Sequence, residues 1–371
     1  MTSAVSIVIP NWNGLELLKR FFPSVVAAAI RYSEEFRAPI EIIVVDDGSI
    51  DASVDWLLSR GFEEYGSGAA KRRQGEGANL SLKLLRNEAN CGFGPACNRG
   101  FEAASYPLVF LLNNDVEVDV NAIAPLVENF ADASVFAAHC RVFDLESGRE
   151  CGTGKLGSFS GGFIRVHRSY VRLAGTGREE GTALGRTSLQ YSMFAGGGSA
   201  MFDRKKFLEI GGFDALLAPI YWEDVDISYR AWKRGLSVLY DSRSLVRHRV
   251  SSTMRTVNQR RLRRMQQRNR LIYHWINLHD RRLMALHLMW VALLALTAPL
   301  RFQPGFLMSL VAALKKLPRI RERRREEKQA ARRSDREIFN IFDSLEDQSD
   351  VFAYDDEGDL QKLRRTIIGQ A

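Results

Sequence analysis

Cysteine is scarce in this chain: four copies in 371 residues, at Cys91, Cys97, Cys140 and Cys151. None forms a CxxC pair and none shares a metal-site spacing with histidine, which argues against a disulfide framework and a structural zinc site. They read as reduced core or loop residues of a cytosolic protein. A cationic leader is also missing. Met1–Pro10 has an apolar run that Pro10-Asn11-Trp12-Asn13-Gly14 stops early, so it reads as a buried strand and not a signal peptide. There is no internal repeat, and no nucleic-acid motif accompanies the basic excess. Long apolar runs are nearly absent. The one exception, Leu283–Leu300, only just reaches the ~18–20 residues that a bilayer requires.

What is present is ordinary in amount and uneven in placement. Hydrophobic residues make up 46% of the chain and charged ones 26%, as in globular proteins. The formal net charge of +8 sits mostly between Arg255 and Arg333, whereas Asp343–Asp359 is acidic. A basic stretch beside an apolar one points to anionic lipid or a phosphorylated substrate.

Strand-like and helix-like segments alternate along the first half. Val5–Ile9, Ile40–Val45, Leu82–Leu85 and Leu108–Leu112 read as strands; Leu15–Tyr32, Asp51–Arg60 and Pro95–Ala104 read as helices. Ser49 or Asp51 is the expected cap of the second helix. Gly66–Asn79 reads as an exposed loop insertion. This alternation predicts a parallel, helix-covered α/β sheet. Further on, helices are expected over Ile123–Phe130, Arg204–Ile210 and Glu223–Arg234, and strands over Val135–Val142, Ala195–Phe202 and Ser237–Tyr240. Gly152–Gly185 reads as a mixed, acceptor-side insertion. A basic helix with a narrow stripe of Leu262, Met265, Ile272 and Ile276 is expected over Arg255–Arg282.

Three acidic clusters close apolar runs: Asp46-Asp47, Asn113-Asn114-Asp115 and Glu223-Asp224-Val225-Asp226. In an open α/β sheet, ligands bind at the carboxyl ends of the strands. Gathered carboxylates repel one another unless a cation or proton joins them. A divalent metal carried with a phosphorylated substrate supplies that charge and leaves one carboxylate free as a base.

Seven blocks in order bear a wider resemblance. They are Ser6–Gly14, Val44–Ser49, Asn90–Gly100, Leu111–Asp115, Gly196–Phe202, Gly211–Asp214 and Glu223–Asp226. Together they resemble the family-2 glycosyltransferases over roughly residues 5–250, most of all the bacterial surface-polysaccharide branch with its rhamnosyltransferase-like members. The resemblance implies a GT-A, Rossmann-like α/β domain over residues 1–250. Donor contacts are then expected from Pro10, Asn11, Asp46, Asp47, Arg86, Asn87, Gly92, Asn98 and Asn114, with Asp47 on the imide N–H of uracil or thymine. Asn113-Asn114-Asp115 stands at the DXD metal motif with its first acid replaced by Asn113. Asp115 is the implied ligand to Mg²⁺ or Mn²⁺, His248 lies near the diphosphate and metal, and Arg247 and Arg249 either neutralise the leaving group or form a solvated face. Asp224 is the implied general base. Glu223, placed with it, and Asp226 are acceptor contacts or supports, and Trp222 either stacks on a sugar or packs in the core.

The implied reaction is inverting transfer from a UDP- or dTDP-sugar to a hydroxyl of a glycan or lipid-linked acceptor. Rivals are a nucleotidyltransferase on a similar scaffold and a catalytically inactive sugar-nucleotide-binding subunit. Residues 251–318 form a basic and apolar helical region, and 319–371 a charged linker and tail that is partly ordered from Ile338. For Leu283–Leu300 three readings stay open: a core helix, a span, and an interfacial anchor, which the flanking arginines favour. The expected location is cytoplasmic, on the inner face of the cell membrane, without nucleic acid.

Overall fold

A computed structural model describes residues 3–65, 80–172, 189–249, 258–300, 302, 304–354 and 360–362. Gly66–Asn79 and the latter part of the Gly152–Gly185 region lie outside the described residues. The centre of the molecule is a mixed sheet. Leu80–Arg86, Ile40–Asp46, Val5–Asn11 and Leu108–Leu112 lie side by side and parallel. Ser199–Asp203 then runs antiparallel beside Leu108–Leu112, Val135–Asp144 antiparallel to it, and Ser237–His248 parallel to Val135–Asp144.

The parallel strands are apolar on both faces because helices cover both. In the first strand Val5, Ile7 and Ile9 face the cluster under helix Leu15–Phe36, while Val8 faces the opposite cluster with Phe101 of helix Phe93–Ala103. This two-residue alternation fixes the register, so that Asn11 ends opposite Asp46 and Asp46 opposite Arg86. Each polar strand end thereby reaches the same carboxyl edge.

Several elements differ from the sequence reading. The strand expected from Ala195 begins at Ser199. The basic helix is Gln259–Asn277; it ends before Asp280, whose carboxylate caps a separate helix, Arg281–Thr297. Gly154–Ser160 and Phe163–Arg172 form a hairpin that joins Val351–Tyr354 and Leu360–Lys362 in a second sheet. From Ile338 the chain is no tail at first. Helix Asp335–Glu346 buries Ile338, Phe339, Phe342 and Leu345 in the larger core cluster. Its buried Asp335 pairs with Lys233 at 2.6 Å and accepts from Tyr229 Oη at 2.7 Å. Among the described residues no helix is long and apolar enough to cross a membrane.

Candidate active site

The carboxyl edge is wired by asparagines. Asn11 Nδ2 donates to Asp46 Oδ1 at 3.1 Å, and Asn114 Nδ2 donates back to Asn11 Oδ1 at 2.8 Å. Asp46 also accepts from Ser49 N, and its buried carboxylate thus shapes the turn after the strand. The expected cap of the next helix is neither Ser49 nor Asp51: helix Ser53–Ser59 starts after Ala52 with no side-chain cap, while Asp51 accepts from Ser53 N at 3.0 Å and from Leu15 N. Pro10 precedes Asn11 in the same strand.

Asp47 points into the loop before helix Phe93–Ala103. It accepts from Asn87 Nδ2, Cys91 N, Cys91 Sγ and Gly92 N, all within 3.0 Å. Burial and the adjacent Asp47 push the Cys91 thiol up to about 11. Gly92 has φ +95°, and a Cβ there would stand 2.8 Å from the backbone of Pro219, so only glycine lets this loop seat against that segment. Two residues expected at the donor are otherwise engaged. Arg86 pairs with Glu64 at 2.9 Å. The Asn98 amide is used on both sides by Phe213, donating to its carbonyl and accepting from its N–H at 2.8 Å each. A side chain held twice by one backbone segment braces the helix against the loop.

The second acidic cluster presents Asp115, 7% exposed, with Oδ1 2.9 Å from His248 Nε2. Antiparallel pairing of Val116 with His248 brings the two together. A carboxylate oxygen and an imidazole nitrogen suit Mn²⁺ or Mg²⁺ as a partial ligand set. Among the described residues no three His, Cys, Asp or Glu side chains gather around one point. An ion here therefore fits only if diphosphate and water complete its shell. Arg247 and Arg249 pair with Glu117 and Glu146 at 3.5 and 3.4 Å.

The third cluster opens helix Glu223–Lys233, where N–H groups and the dipole favour negative charge. Asp224 accepts from Val225 N at 2.8 Å and Gly197 N at 3.4 Å. Burial raises both Glu223 and Asp224 above the ordinary carboxylate range, and the neighbouring Asp224 raises Glu223 further. Glu223 Oε2 is buried without a hydrogen-bond partner. Both carboxyls are thus biased toward the protonated form, while the N–H groups of Val225 and Gly197 oppose that bias at Asp224. Asp226 is fully buried, clamped by Arg230 at 2.7 Å and by Asn277 Nδ2 at 2.6 Å. A carboxylate held this way ties the helix start to Asn277 of the following helix. Trp222 packs on Tyr273, with ring centroids 5.2 Å apart.

One residue that sequence reasoning passed over holds this helix start in place. Buried Asn269 donates Nδ2 to the carbonyls of Leu217, Ile220 and Tyr221, fixing the segment before Trp222. It lies on the stripe of Leu262, Met265, Ile272 and Ile276, so its spacing was the available signal.

The clusters meet across one turn. Asn113 N donates to Gly198 O at 3.0 Å, and a Cβ on Gly198 would lie 2.6 Å from Asn113 Nδ2. Gly197 next to it donates to Asp224. The sequence model described as "Glycosyl transferase family 2" matches residues 6–211, and one described as "Glycosyl transferase family group 2" matches residues 109–317. The chain belongs to glycosyl transferase family 2. Among curated relatives, an uncharacterized glycosyltransferase of Nostoc sp. (strain PCC 7120) is 30% identical over 131 residues, covering 35% of this chain and 34% of the relative. The undecaprenyl-phosphate 4-deoxy-4-formamido-L-arabinose transferase of Serratia proteamaculans is 33% identical over 124 residues, 33% and 32% of the two chains. The chain thus matches about a third of the length of each. GalNAc-T7, solved with UDP, GalNAc and Mn²⁺, superposes with a TM-score of 0.53 at 21% identity, covering 76% of this chain and 49% of that one. The fold is of the GT-A type.

Proposed function

We propose that this family-2 chain transfers a sugar, with inversion, from a UDP- or dTDP-sugar to a hydroxyl of a glycan or lipid-linked acceptor. The observation that carries this reading is the shared turn: Gly197 touches Asp224 while Gly198 touches Asn113, so base and nucleotide edge flank one spot. Asp224 takes the proton of the acceptor hydroxyl as its oxygen bonds to the anomeric carbon. The bond from that carbon to the diphosphate oxygen breaks on the opposite face, and the nucleoside diphosphate leaves with the electron pair. Asp115 and His248 would hold a divalent ion, which when bound offsets the charge developing on the leaving group. Family membership and the nucleotide and Mn²⁺ named with GalNAc-T7 support this assignment.

The acceptor side is proposed to work on a membrane surface. Leu293, Leu296 and Leu300 are 46%, 77% and 81% exposed on and just after a helix that begins with Arg281 and Arg282. Apolar area with flanking cations suits an anionic bilayer face. Deleting everything beyond Asp280 is a poor test, because Asp335 and Phe342 belong to the core. Leu293→Glu with Leu296→Glu is the better one, and it should abolish co-sedimentation with anionic vesicles. Equal sedimentation of the double variant would refute membrane docking here. For the donor, UDP- or dTDP-sugars with Mn²⁺ should raise the melting temperature. No response to any nucleotide sugar would overturn the transferase reading.

A further inference from the structure

Helix Gln259–Asn277 meets the hairpin turn beside Trp222 through an arginine that pairs with no acid among the described residues. Arg270 lies over the Phe163 ring at 4.2 Å and is 5.9 Å from the Trp222 ring. Its Nε is buried and unpartnered. Arg165, two residues beyond Phe163 and so on the same side of the strand, is exposed and donates to Ser160 O at 3.3 Å. Neither arginine has a carboxylate within ion-pair distance among the described residues. Nearby arginines do better: Arg230 has Asp226, Arg234 has Glu327 and Arg323 has Asp214. Burial and the like charge of Arg165 together push Arg270 down to about 10.

The same turn leads directly onto the exposed apolar helix. His287 Nδ1 bonds Gly162 O at 2.8 Å, and its ring meets Phe163 edge to face at 5.0 Å. The Trp290 ring covers Gly162 so closely that a Cβ there would fall 2.4 Å from it. From Trp290 an exposed stripe of Leu286, Met289, Leu293 and Leu296 runs along one face of the helix.

We propose that Arg165 and Arg270 bind the diphosphate of a lipid-linked acceptor whose apolar tail follows the stripe that begins at Trp290. This deepens the transferase reading above and rests on it for the word acceptor. Phe163 holds one guanidinium flat, leaving its N–H edge to meet phosphoryl oxygens, and the second cation suits the second phosphoryl group. Trp222 ties this anion site to the Asp224 helix start two residues later, so a sugar attached to the diphosphate lies toward the base. Charge and apolar surface are continuous, as an amphiphile with one charged head requires.

The test is a binding titration of the full chain with farnesyl diphosphate in EDTA, read by tryptophan fluorescence, with farnesol and inorganic diphosphate as the other probes. Farnesyl diphosphate should bind at least tenfold more tightly than either. Arg165→Glu, at an exposed position that leaves packing intact, should weaken it about tenfold, and Arg270→Met by as much or more. Trp290→Ser should weaken farnesyl diphosphate and spare inorganic diphosphate. Equal binding of farnesol, or unchanged farnesyl diphosphate affinity in folded Arg165→Glu, overturns the proposal. The nucleotide-sugar thermal shift is run in parallel. Its failure beside arginine-dependent lipid binding would overturn the transferase reading alone and support the anion site.

Discussion

Asp46–Asp47 and Glu223–Asp224 are both pairs of neighbouring carboxylates at the sheet edge, yet only the first is saturated with donors. Two donors meet Asp46 and four meet Asp47. Glu223 keeps one buried oxygen with no donor, and Asp224 receives two backbone N–H groups. A carboxylate that accepts from several donors fixes the segments that supply them. The first pair therefore organises loops. The second stays raised above the ordinary carboxylate range by burial, which suits a group that must accept a proton near neutral pH. Proximity of two acids in sequence says nothing of this difference; the supply of N–H groups decides it.

Substituting each acid tests the contrast. The largest effect is expected at Asp224. Asp224→Asn keeps the shape and cannot take the proton, so sugar transfer should fall about 10²–10⁴-fold while nucleotide-sugar affinity stays within about twofold. Turnover near that of the parent would remove Asp224 as the base. Asp47→Ala should act on stability instead. It leaves the N–H groups of Cys91 and Gly92 and the Asn87 amide without their acceptor, a loss of roughly 3 kcal/mol in urea unfolding. A loss below about 1 kcal/mol would mean that the loop finds other partners.

Asp115 differs from both pairs, with an imidazole 2.9 Å from its carboxylate. Asp115→Ala should weaken Mn²⁺-dependent nucleotide binding about 10–100-fold, as loss of a coordinating or supporting group does, and leave metal-free binding unchanged. Equal loss with and without Mn²⁺ would show that Asp115 shapes the pocket and does not carry the ion.

The parts of this molecule that were legible from sequence were those written in runs. Val5–Ile9, Ile40–Val45 and Leu108–Leu112 are dense in β-branched and large apolar residues, and each ends in polar residues at the edge where the structure puts them. Leu108–Leu112 and Arg204–Ile210 have the expected bounds. What stayed hidden depends on partners far along the chain. The burial of Asp226 against Arg230 and Asn277 is such a feature, with Arg230 one turn later as its local hint. Asn98 sits inside a motif block, and its bond to Phe213, 115 residues away, has no local signature. Glycines at 154, 157, 161 and 162 masked the hairpin, since they replace the alternating side chains by which a strand is recognised. Helix Asp335–Glu346 follows a long charged stretch, and its four apolar anchors matter only because the core offers them a slot.

The smallest effect, and the finest test of the contrast, belongs to Glu223. Its carboxyl is raised by burial first and by the Asp224 charge second. Between the ordinary carboxylate value and that raised value, the folded protein binds more protons than the unfolded chain. Stability therefore falls as pH rises through this window, because ionising Glu223 in the fold costs more than ionising it in water. Glu223→Gln removes the titration. Its melting temperature relative to the parent should be least favourable near pH 4, where both side chains are neutral, and should improve steadily toward pH 8. Turnover should drop less than in Asp224→Asn, since Asp224 and not Glu223 is the proposed base. A melting difference for Glu223→Gln that stays flat between pH 4 and 8 would mean that burial does not raise the Glu223 carboxyl.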